Sequence, residues 1–182
     1  MIKEIYFDKF RGKFWPNPPE LASFFLAPAG RQWSYLGGND GWLLDISGMY
    51  NTGHLKTYFQ DPENFLNTQV ESHLTMWGNP RLGVLLYYQK VGGGYSEDWF
   101  SVGDLGRLDQ WVETLHGDRR PVGLYIPFRA AWPAVKEYMD RDGELPKCIE
   151  WISANDLPPN TFPVPHAKVP VIETHGYPWE KT

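Results

Sequence analysis

"LGVLLYYQKVGGGYSEDWFSVG", Leu82 to Gly103, decides the fold. Its first arm, Leu82 to Val91, is too continuously apolar for a half-exposed strand and predicts one crossing the centre of a sheet. Gly92 to Gly94 supply a turn, and "YSEDWFSVG" returns the chain. The stretch therefore reads as an antiparallel hairpin. A glycine run can also cradle phosphate. Here no Lys-Ser/Thr follows it and no helix starts there, so the turn is the better reading.

Working outward, "QWVETL" and "VGLYIPF" flank the polar "HGDRRP" and predict a second pair of strands. Arg119 and Arg120 in that turn suit carboxylate or phosphate pairing, but a solvated turn is the better reading. Upstream, "RQWSYLGGNDGWLLDISG" reads as a hairpin, with Trp33 and Tyr35 on one arm and Trp42, Leu44 and Ile46 on the other. Ile2 to Asp8 reads as an edge strand. In "NPPELASFFLA", Asn17 precedes two prolines and an apolar spacing at Leu21, Phe24 and Phe25, which predicts a short helix. "QDPENFLNTQVESHLTMW" opens with Asp61 and Pro62 as a cap-and-start pair. Phe65, Leu66, Gln69, Val70, His73 and Leu74 then trace a stripe at helical spacing.

"AAWPAVKEYMDRDGELPKCIEWI", Ala130 to Ile152, predicts a helix, a stop and a strand. Ala131, Val135, Tyr138 and Met139 share a face, and Glu137 sits four residues before Arg141. Pro133 calls for a place in the first turn. Gly143 suits a left-handed cap, and Pro146 keeps the helix from resuming. Ile149 and Trp151 share a strand face, and Cys148 between them reads as a small hydrophobe.

Irregular alternation of strands and helices with hairpin links predicts an α+β fold: a mainly antiparallel sheet built from hairpins, with about three helices packed on it. Residues 1–154 read as one domain and 155–182 as a Pro-rich C-terminal extension.

The spelling of the helix-to-strand corner resembles a bacterial family of immunity proteins encoded beside polymorphic toxins, the "Imm" family numbered one. The residues that carry the likeness are Trp132, Pro133, Ala134, Val135, Gly143, Pro146, Glu150 and Trp151. The apolar strand ending in Tyr-Tyr before a glycine turn is similar to that family's central hairpin, so the resemblance spans about residues 76–152. It implies a cytoplasmic antitoxin of interbacterial competition that binds and silences a cognate toxin. The residues of the likeness read as fold residues and do not locate the toxin-binding surface.

Composition agrees with a binding role. The chain has 182 residues, 42% hydrophobic and 16% aromatic, with a net charge of −5. That charge makes a poor field for a phosphate backbone, so no direct nucleic-acid partner is expected. It suits a basic protein partner. No apolar run approaches a membrane span and no export signal opens the chain. The single cysteine, Cys148, fits a reducing cytoplasm.

Histidines at 54, 73, 116, 166 and 175 lack helical metal spacing, so neither a metal nor a cofactor is expected. His73 reads as a hydrogen-bonded, partly buried residue. Glu97 and Asp98 are adjacent carboxylates that a strand sends to opposite faces, a poor acid–base pair.

Aromatic side chains flanked by acids are common interface anchors. Tyr95, Asp98 and Trp99, with Glu97 and Asp104 as a rim, are the expected toxin-binding residues. The competing function is a small hydrolase that reverses a toxin's modification, and a further one is a non-enzymatic ligand-binding module.

Overall fold

A computed structural model of the chain describes residues 1–7, 10–27, 40–50, 69–92, 95–164 and 167–174. Among these residues the fold is α+β: an antiparallel sheet of eight strands with two helices packed on it.

The predicted hairpin is its centre. β5 (Gly83–Gly92) pairs with β6 (Tyr95–Ser101), Gly92 standing opposite Tyr95. β4 (Gln69–Asn79) pairs with the other side of β5. Val84, Leu85, Leu86 and Tyr88 are at most 1% exposed, as a strand covered at this end on both faces requires. Beyond β4 the order continues through β3 (Gly41–Tyr50) and β1 (Ile2–Phe7) to β2 (Phe10–Lys13). On the far side, β10 (Trp151–Ser153) pairs with β6.

Two expectations about these strands change. β1 is an interior strand between β2 and β3. The stretch from Gln69 is a strand, whereas the apolar spacing predicted a helix. Val70 and Leu74 lie four apart, a separation that shares a face under period two and period 3.6 alike. Ser72 settles it: Val70, Ser72, Leu74 and Met76 are all buried in alternation. Ladders from β3 and β5 on either side supply backbone partners that local helix bonds would have to replace. The Asp61–Pro62 start and the first part of that stripe lie outside the described residues. So do Trp33, Tyr35, the following turn, and Gly93 and Gly94.

α1 (Pro18–Leu26) follows Asn17 as expected, with the Asn17 backbone N–H donating to Glu20 Oε2 at 2.9 Å. α2 (Phe128–Asp140) begins two residues earlier than the sequence suggested, which places Pro133 inside the helix and not in its first turn. The Arg129 carbonyl therefore receives no helical N–H from position 133. Burial of Ala131, Ala134, Val135 and Tyr138, each 0% exposed, outweighs that loss. At the other end Gly143, at φ +83°, donates its N–H to the Tyr138 carbonyl at 2.9 Å, closing a Schellman turn. A Cβ here would stand 2.4 Å from Ile46 Cγ2, so position 143 is closed to any side chain.

Both helices lie on one face of the sheet, where Leu21, Phe24, Phe25, Trp42, Leu44, Leu74 and Tyr138 build the main core. Ser72 Oγ donates to the Gly143 carbonyl at 2.7 Å, and Tyr138 OH donates to the Leu44 carbonyl at 3.2 Å, which pins the corner to β3 and β4. Past the corner the strand begins only at Trp151. Cys148, expected in a strand as a small hydrophobe, is exposed. Its N–H and that of Lys147 both donate to Glu137 Oε2, which occupies the backbone groups a ladder would need.

A second core covers one end of the opposite face. Leu85, Phe100, Val112, Val122, Leu124 and Tyr125 form it, with Phe162 and Ile172 of the Pro-rich segment against it. The second predicted pair exists, but its return arm is β8 (Arg119–Pro121) against β7 (Trp111–Glu113). "VGLYIPF" instead makes a 3-10 turn and then β9 (Tyr125–Ile126), which pairs with β5. The Pro-rich segment is tied down by backbone and side chain: Ile172 N–H donates to the Trp111 carbonyl at 2.7 Å, and Asn79 Nδ2 to Thr174 Oγ1 at 2.8 Å.

Candidate functional site

The second core covers only one end of the helix-free face. Along the rest of that face, strand register aligns polar side chains. Glu4 on β1 stands opposite Asp45 on β3, Asp45 opposite His73 on β4, His73 opposite Gln89 on β5, and Gln89 opposite Asp98 on β6. With adjacent strands about 4.8 Å apart, this row crosses roughly 20 Å of sheet. The neighbouring row, Tyr6, Leu43, Thr75, Tyr87 and Phe100, leads under the second core.

Hydrogen bonds hold the row in two groups. Asp98 Oδ2 accepts from Ser96 Oγ at 2.6 Å, and its Oδ1 accepts from Gln89 Nε2 at 2.7 Å and from the Tyr87 hydroxyl. Gln89 Nε2 also lies 2.9 Å from the Tyr87 oxygen. Partial burial pushes the Asp98 carboxyl up, but the bonds from Ser96, Tyr87 and Gln89 outweigh it and hold Asp98 below its ordinary value. Burial, together with the Asp98 acceptor, drives the Tyr87 phenol well above its own. Asp98 is thus a fixed anion beside a neutral phenol, an arrangement suited to holding charge in place.

At the centre, His73 Nδ1 lies 2.7 Å from Asp45 Oδ1, and Nε2 lies 3.9 Å from Glu71. The bond to Asp45 raises the His73 pKa, burial opposes it, and the Asp45 and Glu71 charges add to the rise. Glu4 directly opposite Asp45 is a like-charge pair, which costs a few tenths of a kcal/mol up to about 1 kcal/mol. His73 offsets part of that cost. A rigid aromatic support lies beside the row. Tyr87 stacks on Phe100 at 4.6 Å and on Trp77 at 6.4 Å, and the Arg120 guanidinium lies 4.3 Å from the Trp77 ring centre.

The five residues expected from the sequence do not form one patch. Asp98 alone lies in the row. Glu97 and Trp99 project to the helix-bearing face, where Trp99 packs against the main core and its indole donates to Glu97 Oε1 at 2.8 Å. Glu97 there stands opposite Lys90, a buried residue whose ammonium pairs with Glu144 at 3.1 Å. Tyr95 is placed by its backbone, at the start of β6. Asp104 lies beyond β6 and caps a 3-10 turn by accepting from Gly106 N–H at 3.1 Å.

Glu4, Asp45, His73, Tyr87 and Gln89 were not among the expected site residues. The alternation Glu71, His73, Thr75, Trp77 was the available signal, and the helical reading of that stretch concealed it.

Other reactive groups are quiet. Partial burial, then the Glu137 carboxylate, push the Cys148 thiol up to about 11, so it is protonated at neutral pH. Among the described residues no three His, Cys, Asp or Glu side chains gather as a metal site, and no helix is long and apolar enough to cross a membrane. Comparisons with protein-family models, with curated proteins and with solved structures each find no match to this chain.

Proposed function

We propose that this chain is a cytoplasmic immunity-type inhibitor, which silences a cognate bacterial toxin by binding it one to one and covering its active site or substrate groove. The observation that carries the reading is the row from Glu4 to Asp98. Polar groups from five strands stand in register on the helix-free face, and the Asp45 and Asp98 carboxylates are held by neighbours in advance of any partner. Preorganised acceptors of this kind lose little freedom on binding, and they match the lysines and arginines of a basic groove. The resemblance of the Trp132-to-Trp151 corner to the immunity family supports the same direction, and the packing of that corner accounts for its residues as scaffold.

The partner in this reading is a protein toxin with a basic working surface, and the inhibitor performs no bond chemistry. The test is stoichiometric. The chain is mixed with the C-terminal domain encoded by the adjacent open reading frame, followed by size-exclusion chromatography and titration of toxin activity. A one-to-one complex and protection that ends at equivalence are expected. Protection at a small fraction of equivalence would reveal a catalyst, such as a hydrolase reversing the toxin's modification, and would sink the reading. So would the absence of any complex.

A further inference from the structure

We infer that the β7–β8 hairpin carries an anion-binding site, in which Arg119 and Arg120 hold a small organic molecule by its carboxylate or phosphate group. The ligand is a small anion and not a toxin, so the site stands or falls independently of the row from Glu4 to Asp98.

The turn between the two strands is fixed by its own bonds. Thr114 N–H donates to the Asp118 carbonyl at 2.8 Å, Gly117 N–H to the Thr114 carbonyl at 3.0 Å, and Asp118 N–H to Thr114 Oγ1 at 3.1 Å. Leu115 N–H donates to Asp40 Oδ2 at 2.9 Å, which ties the turn to the residue before β3. The backbone that carries both arginines is thus in place before any ligand arrives, which lowers the cost of binding. The side chains are held but not satisfied. Arg120 lies over the Trp77 ring, and Arg119 Nη1 donates to the Ala167 carbonyl. These contacts leave the two side chains only 23% (Arg119) and 22% (Arg120) exposed. Their acidic neighbours engage them weakly. Glu113 Oε2 is 3.7 Å from Arg119 Nη2, past hydrogen-bond reach, and Asp118 Oδ2 is 3.4 Å from Arg120 Nη2. The two carboxylates are 50% and 59% exposed, so water screens both pairs. The Nε–H of Arg119 and that of Arg120 are both buried, and neither has a hydrogen-bond partner among the described residues. A buried N–H left unmade is costly. Two of them on adjacent residues lining one cavity point to an acceptor inside it.

That cavity, of about 330 Å³, is lined by His116, Asp118, Arg119, Arg120, Phe162 and Val164. Its volume is at the low end of ligand sites, enough for a small molecule and too little for a folded partner. A guanidinium presents its N–H groups as a planar fork that matches two oxygens of a carboxylate or phosphate. Phe162 packs on Phe100 at 5.0 Å and forms with Val164 an apolar wall, so the ligand carries an apolar portion beside its charged group. Asp118 repels an anion and competes with it for Arg120. Removing that carboxylate should therefore strengthen the site, an effect that a purely structural arginine pair would not show.

The test titrates the full chain with phenyl phosphate, benzoate, inorganic phosphate and, at matched ionic strength, sodium chloride. The arginine Nε–H resonances are followed by NMR and affinity by calorimetry. Saturable shifts of the Arg119 and Arg120 Nε–H signals are expected with phenyl phosphate or benzoate, and whichever binds tighter identifies the anionic group. Inorganic phosphate is expected to bind more weakly than phenyl phosphate, and chloride to leave the signals unchanged. Arg119→Gln should weaken the preferred probe about tenfold or more. Asp118→Asn should tighten it by about threefold, and it keeps the backbone groups that close the turn. No saturable shift with either organic probe, an equal response to chloride, inorganic phosphate binding as tightly as phenyl phosphate, or Asp118→Asn leaving affinity unchanged would each overturn the inference.

Discussion

Glu97 and Asp98 are neighbours in sequence with opposite situations. Glu97 faces the helices, opposite buried Lys90 and bonded to Trp99, and belongs to the packed side of the sheet. Asp98 faces away from them, bonded to Tyr87, Gln89 and Ser96 at the end of a polar row. The pleat of one strand makes the difference. It teaches that an acidic, aromatic stretch such as "YSEDWF" is not one patch: Glu97 and Trp99 face the helices, Phe100 is buried in the second core, and Asp98 lies in the polar row.

The two faces should respond differently to substitution, and the largest effect belongs to the packed face. Leu74→Ala, at a site 0% exposed, should cost about 2–5 kcal/mol in urea unfolding without selectively altering partner affinity beyond that loss. A cost under about 1 kcal/mol would mean that the helix-bearing face is not the core. Asp98→Ala should do the reverse, weakening the proposed toxin complex by about 2 kcal/mol or more while stability falls by about 1 kcal/mol. If stability drops and affinity does not, the row is scaffold too, and the comparison collapses.

The pH dependence sharpens the contrast within the row. Asp98 has a lowered value in the folded chain, so its contribution to stability is present above its ordinary 3.8 and is lost as pH falls through the folded value. His73 has a raised value, so its contribution is fully present below its ordinary 6.5 and is lost as pH rises through the folded value. Acid and neutral-range melts of Asp98→Asn and His73→Gln should each lose one of these slopes, worth about 0.5–1 kcal/mol for the exposed-side ion pair. A His73→Gln protein that keeps the neutral-range slope would show that the Asp45 contact does not govern it. Smallest of all, Cys148→Ser should change stability by no more than about 0.5 kcal/mol, since the residue is exposed and takes no part in a ladder.

How much of this was legible depended on the range of the interaction. The β5–β6 hairpin, the Asn17 start of α1 and the Gly143 stop of α2 rest on a few consecutive residues, and each is found where local chemistry placed it. β4 was misread because Val70 and Leu74 satisfy two periods at once, and only the ladders of β3 and β5 decide between them. Pro133 sits mid-helix because tertiary burial of Ala134, Val135 and Tyr138 overrides a local preference. Among the expected site residues, Asp98 lies in the polar row. Its companions Asp45 and His73 were not expected there, because they come from strands brought alongside by register.

By itself, then, the sequence determined that this is an α+β chain with a central antiparallel hairpin, a helix closed by Gly143, and an acidic, aromatic-rich composition. These follow from turn chemistry, side-chain period and charge, which act over a few residues or are summed over all of them. Only the tertiary structure decided which carboxylates share a surface, that Trp99 packs inward and that Phe14 stands exposed just past β2. Those facts depend on strand order and register, set by long-range pairing and burial among segments that no local pattern connects.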